Sequence, residues 1–261
     1  MVDPIFWQAW LTTTLAGALG GLVGPLIFWR RLANLGNALS HAALTPIAVA
    51  SVLQIPYGWL LTPFSVFLAL LLGRMEGQRS KDSDSLLNVL FVGMFSLGIL
   101  ILSWAGTSSA SAIETLFGDI LFVTTGDLVI VLFLFALVLA YIWLFRRPLL
   151  LMLLHQDMAR TEGVRVNRHE TWLLVFAALV VSATLKIMGA VLVTSMLLFP
   201  PLLASRLAKG LRGFWSISVF SGAIVGFCGF YISIQSNFPS GATIATLALG
   251  LIILAQIFRR T

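Results

Sequence analysis

The sequence predicts an all-α integral membrane protein, a polytopic helical bundle of about nine transmembrane helices with eight as the fallback count. Three observations lead there. Of its 261 residues 59% are hydrophobic and 10% charged, far below the ~25% charged of a soluble domain. All but one of the sixteen Lys and Arg residues fall in short clusters between long apolar runs, on alternate gaps, which is how a membrane protein records its orientation. The tryptophans also lie near span ends, Trp7, Trp10, Trp59 and Trp104 at predicted outer ends and Trp29, Trp143, Trp172 and Trp215 at inner ones, as an aromatic belt requires.

A crossing needs about 20 apolar residues, and the elements follow in order. Residues 5–29 carry no basic residue ahead of them and end at Arg30 and Arg31, so they read as a retained first helix with its N-terminus outside rather than a cleaved signal. Residues 37–54 return outward and 57–73 run inward to Arg74, Arg79 and Lys81. Span 84–104 leads to an outer connector over about 106–126, and 127–145 returns to Arg146 and Arg147. Spans 170–187 and 188–206 are nearly continuous apolar sequence, broken only around Lys186 to Gly189 and at Pro200-Pro201; if one of them is partial, the count is eight. Spans 214–234 and 241–258 complete the set, with Arg259 and Arg260 cytoplasmic. The whole chain, 1–261, reads as one transmembrane domain.

A net charge of +6 would suggest nucleic acid in a soluble protein. Here the basic residues form an orientation signal and a contact surface for membrane lipids with anionic heads, so nucleic acid is no partner. The single cysteine, Cys228, excludes an intramolecular disulfide and a Cys-rich metal site. The outer segments carry the acids Asp3, Glu114, Asp119 and Asp127 against Lys186 alone. Glu114 and Asp119 form an acidic outer mouth that concentrates cations, or are what the positive-inside bias leaves behind. Ile113, Leu116, Phe117 and Ile120 have helical spacing, which predicts a short helix across the mouth, a lid or a plain connector.

The long inner loop, about 147–169, contains Gln156, Asp157, Ala159, Arg160 and Glu162 in two predicted helical turns, with Asp157 favourable at the N-terminal end and Gly163 suited to a left-handed C-cap. Such a helix is a solvated connector or a docking surface for a cytoplasmic partner. No Gly-x-x-x-x-Gly-Lys-Ser/Thr phosphate loop occurs, and the spans lack the buried charges of an ion-coupled carrier. A passive channel or an externally powered permease remains; the chain itself performs no covalent chemistry and is not an enzyme.

On the second span Asn37, His41 and Thr45 are spaced i, i+4, i+8 with Ser40 beside them, one polar stripe that faces protein or water. Imidazole is a common ligand for zinc and a good one for manganese and iron, and an oxygen one turn away shares the ion. A histidine there otherwise hydrogen-bonds across helices.

The run Gly36-Asn37-Ala-Leu-Ser40-His41-Ala resembles the Gly-Asp-x-Leu-Ser/Ala-His-Ala segment of the permease subunit of zinc/manganese/iron ATP-binding-cassette importers. Leu116-Phe-Gly-Asp119-Ile-Leu, Asp157-Met-Ala-Arg-Thr-Glu-Gly163-Val, Gly189-Ala-Val-Leu-Val-Thr-Ser-Met-Leu-Leu-Phe-Pro200-Pro and Pro239-Ser-Gly-Ala-Thr match in the same order, so the likeness covers nearly the whole chain and is nearest the zinc-uptake permeases. The resemblance implies a homodimer in the bacterial cytoplasmic (inner) membrane, bound to two nucleotide-binding ATPase subunits that hold ATP and Mg, and supplied by an extracytoplasmic metal-binding protein. It makes Gln156 to Gly163 the coupling helix and places a metal site at His41 and Asn37, where the family has Asp and this chain has the weaker, neutral Asn. The expected function is inward passage of a divalent metal ion as substrate, zinc first, then manganese or iron, by alternating access, with no cofactor in this chain. The alternatives are a metal-chelate importer and a passive cation channel not coupled to ATP.

Overall fold

The computed structural model describes residues 4–30, 33–76, 81–106, 118, 123–154 and 156–258. Every regular element among them is a helix: α1 (Pro4–Trp29), α2 (Ala33–Ala42), α3 (Leu44–Leu53), α4 (Gly58–Glu76), α5 (Lys81–Trp104), α6 (Thr125–Leu144), α7 (Arg146–Leu154), α8 (Gln156–Thr161), α9 (Val166–Leu207), α10 (Leu211–Ser236) and α11 (Ser240–Phe258). Among the described residues six stretches are long and apolar enough to cross a membrane: Phe6–Trp29, Gly36–Leu53, Thr125–Leu144, Val166–Leu207, Leu211–Ser236 and Ser240–Ile257. Gly58–Leu71 and Val89–Trp104 are apolar but shorter. Length and apolarity among the described residues thus give six candidates against the nine predicted spans. The difference lies in these two short helices and in the predicted spans 170–187 and 188–206, which run on as α9.

Forty-two residues of straight helix would reach about 63 Å, twice the ~30 Å hydrocarbon core. The backbone of α9 leaves helical geometry at Gly189, with φ 73° and ψ 164°, a region only glycine enters cheaply. The halves then run in opposite directions. In the first, His169 lies by Tyr141 near the end of α6 and Lys186 by Asp127 near its start; Glu170 pairs with Arg30 at the end of α1. In the second, a Cβ on Gly20 would meet Met196, and one on Gly24 would meet Leu197 and Pro201, so this half runs parallel to α1 and back toward Arg30. Gly118, at φ +70°, packs its backbone on Ile187 to Gly189, where a side chain would have no room.

The core is built on α1, whose glycines recur at i, i+4 on two faces. Gly17 and Gly21 face α10 and meet Gly222 and Ser218; Gly20 and Gly24 face α9. The α1 and α10 backbones are close enough that Ser218 Oγ donates to the Gly21 carbonyl at 2.6 Å and Trp215 Nε1 to that of Leu22 at 3.3 Å. Small residues permit this approach, and in lipid close packing replaces the hydrophobic drive between helices. Apolar side chains on α5 and α6, such as Val89, Leu100 and Phe133, are exposed, as a surface set in lipid allows.

Candidate functional site

The second predicted span is two helices in direct succession. Pro46 has no N–H to give the Ala42 carbonyl, so the ladder is interrupted at Ala43, although that residue stays right-handed at φ −60° and ψ −20° and its N–H still donates to the Leu39 carbonyl at 3.2 Å. The polar stripe therefore continues from α2 into α3. Its four members do different things. Ser40 is fully buried and its hydroxyl donates to the Gly36 carbonyl at 2.9 Å. The Thr45 hydroxyl donates to the Met94 carbonyl at 2.5 Å, tying α3 to α5. Both hydroxyls are taken up in packing.

Asn37 and His41 are half-buried, one turn apart on α2. The His41 ring is held edge-on by Phe91 and Phe95 of α5, at centroid distances of 4.9 and 5.9 Å. Its Nδ1 is buried without a hydrogen-bond partner. A buried polar atom left unpaired costs about 1–3 kcal/mol, so this nitrogen is open to a partner the chain does not supply. Among the described residues, no three or more His, Cys, Asp or Glu side chains gather as a metal cluster.

The start of α6 is capped by its own residues. Thr124 and Asp127 form a reciprocal capping box, with Thr124 N donating to Asp127 Oδ2 at 2.8 Å. Lys186 Nζ donates to the same carboxylate at 2.6 Å, so the outer-side Lys and Asp of the sequence form one ion pair beside Gly189. Glu114 and Asp119, and the predicted helix over the outer connector, lie outside the described residues.

The inner loop folds as the residues dictate. Helix α8 ends at Thr161, one residue short of the predicted turn. Gly163 N donates to the Arg160 carbonyl at 3.2 Å and Val164 N to that of Ala159 at 2.9 Å, the two bonds of a Schellman cap, with Gly163 left-handed at φ +78°. Ala159 is fully buried in a cluster with Leu26, Leu149, Met152, Val166 and Leu173, so one small side chain joins α8 to α1, α7 and α9. Asp157, Arg160 and Glu162 face solvent. Two contacts lacked a sequence signal of their own. The Tyr141 hydroxyl and His169 Nδ1 lie 2.7 Å apart, and Arg30 pairs with Glu170; both join residues far apart in sequence.

Known proteins resemble the chain along its full length. The family model described as the ABC 3 transport family matches residues 2–259. The manganese transport system membrane protein MntC of Halalkalibacterium halodurans is 32% identical over 96% of this chain and 86% of its own. The high-affinity zinc uptake system membrane protein ZnuB of Buchnera aphidicola subsp. Schizaphis graminum is 28% identical over 97% of each. Among solved structures, PsaBC from Streptococcus pneumoniae in complex with Fab superposes with a TM-score of 0.86 at 27% identity, covering 97% of this chain and 91% of that one. The chain belongs to the ABC 3 transport family and is a multi-pass permease of the bacterial cytoplasmic membrane.

Proposed function

We propose that this permease carries a divalent transition metal ion, manganese or zinc, inward by alternating access, driven by ATP hydrolysed on separate subunits. The observation that carries the reading is His41, whose buried, unpartnered Nδ1 on a membrane helix occurs in a chain whose full-length relatives are named for manganese and zinc transport. The sequence puts zinc ahead of manganese and iron. Relatives of both names stand at similar identity, so the cargo is proposed as either, and the His nitrogen with an Asn oxygen suits both. Membership of an ATP-binding-cassette family removes the support for a passive channel.

Two copies of the chain, two ATPase subunits and an outer metal-binding protein make up the proposed assembly. In it α8 is the coupling helix. Its buried Ala159 rests on residues of α1, α7 and α9, so a push on the exposed face of α8 moves three helix ends together. Nine crossings with the N-terminus outside fit the opposed halves of α9 and the aromatic contacts of Trp29 with Phe214 and Trp215 near Arg30.

Uptake of labelled manganese and zinc into proteoliposomes holding the assembly tests the function. His41→Ala should remove ATP-dependent uptake of whichever metal moves while insertion and basal ATPase persist. Undiminished uptake by that variant would leave the ion crossing by other residues.

A further inference from the structure

At the arginine-rich end of the bundle, α6, α7 and α10 enclose a cavity of about 740 Å³. Its polar wall is Arg146, Arg147 and Arg212; its apolar walls include Trp215, Leu139 and Phe220, and its floor is Leu22 of α1. None of its lining residues is acidic. The three arginines are exposed, and among the described residues none of them makes an ion pair. Trp215 is fixed in place by its hydrogen bond to the Leu22 carbonyl. Leu139 and Phe220 are 48% and 67% exposed, so the cavity opens toward the hydrocarbon.

We propose that this cavity holds one anionic phospholipid, its phosphate on the arginines and its acyl chains along Leu139 and Phe220. Three uncompensated cations ask for an anion, and guanidinium groups match phosphate oxygens in pairs. The predominantly apolar remainder asks for a ligand that is also a hydrocarbon, which free phosphate is not. The site is a basic pocket between transmembrane helices at the level where anionic head groups lie. Because Arg146 and Arg147 open α7, which packs beside Ala159 of α8, an occupying lipid braces the support of α8. The inference needs insertion in the membrane and does not depend on the cargo.

Native mass spectrometry of the detergent-purified assembly, with dioleoylphosphatidylglycerol, dioleoylphosphatidylcholine or inorganic phosphate added, reads the occupancy directly. One phosphatidylglycerol per chain should be retained at least ten-fold better than phosphatidylcholine. Arg146→Gln/Arg147→Gln/Arg212→Gln should lose that preference, whereas Arg165→Gln/Arg168→Gln, on a neighbouring surface, should keep it. Equal retention of the two lipids, a preference that survives the triple substitution, or displacement of the lipid by millimolar phosphate would overturn the proposal. If the triple variant does not insert, Ser216→Trp fills the cavity with all three charges kept; it should lower phosphatidylglycerol occupancy, and unchanged occupancy refutes the site.

Discussion

Replacing Gly163 by valine strikes the cap of α8 and nothing else. A Cβ there meets no atom within 4 Å, so the change creates no clash and its whole cost is conformational. At φ +78° a side-chain-bearing residue is disfavoured by roughly 1–2 kcal/mol, and branching at Cβ puts valine at the upper end. Such a cost lowers the population of the capped form by about 5–30-fold relative to an open one. The open form loses the Gly163 and Val164 hydrogen bonds to Arg160 and Ala159, and with them the seating of Ala159 among Leu149 and Met152. Gly163→Val should therefore lower substrate-stimulated ATPase and metal uptake together in proteoliposomes, with normal insertion and unchanged basal ATPase. Gly163→Asn, which tolerates the left-handed region, should recover most of both. Gly210→Val is the control: that residue is also open to solvent, but its φ of −166° is extended backbone that valine adopts, so it should be silent. Stimulated ATPase unchanged in Gly163→Val would make α8 a connector that transmits nothing.

Four further outcomes are expected. Asn37→Asp should tighten metal binding in titrations of the purified assembly, since a carboxylate adds a full charge one turn from His41; affinity equal to wild type would take Asn37 out of the site. Gly17→Ala and Gly222→Ala should each lower thermal stability by about 1–3 kcal/mol, because each methyl enters the backbone of the facing helix, whereas Gly250→Ala, with nothing within 4 Å, should not; equal melting points would refute the close packing. Asp127→Ala should destabilise more than Lys186→Ala, because it removes the α6 capping box as well as the ion pair, a loss of about 0.5–2 kcal/mol on the scale of cap deletions; a thermal-melt double-mutant cycle measures the order. In a Cys228→Ser background, Ser236→Cys should react with an impermeant thiol reagent from outside and Asn167→Cys should not; both positions are exposed, and the reverse labelling would invert the orientation.

Features governed by neighbours in sequence were legible, and those made by distant residues were not. The Gly163 cap followed from a short polar helix ending in glycine; the Thr124–Asp127 box, made by residues three apart, carried a local signal that the sequence reading did not use. The interruption around Lys186 to Gly189 was visible too, and the predicted boundary between spans 170–187 and 188–206 falls beside the break at Gly189. The polar stripe of α2 was visible too, but Thr45 finds its acceptor on Met94, 49 residues away, and no periodicity reports a partner in another helix. The Ala43 break was readable from Pro46 and was absorbed into one span by the apolar run around it. The paired glycine repeats of α1, Gly17/Gly21 and Gly20/Gly24, carried a packing signal that hydropathy passes over, since glycine is nearly neutral on such scales.

The single-residue reversal at Gly189 makes the two halves of α9 behave like the legs of a drawing compass. Joined with no loop between them, the legs cannot slide past one another, and their joined ends cannot part. The freedom left to them is to open or close at the far ends, beside Arg30 on one leg and Pro201 on the other. Gly118 rests on the joint and the Lys186–Asp127 pair holds one leg against α6 just below it. A displacement of the far ends is thereby turned into rotation about the joint, and any residue other than glycine at position 189 would strain the reversal itself.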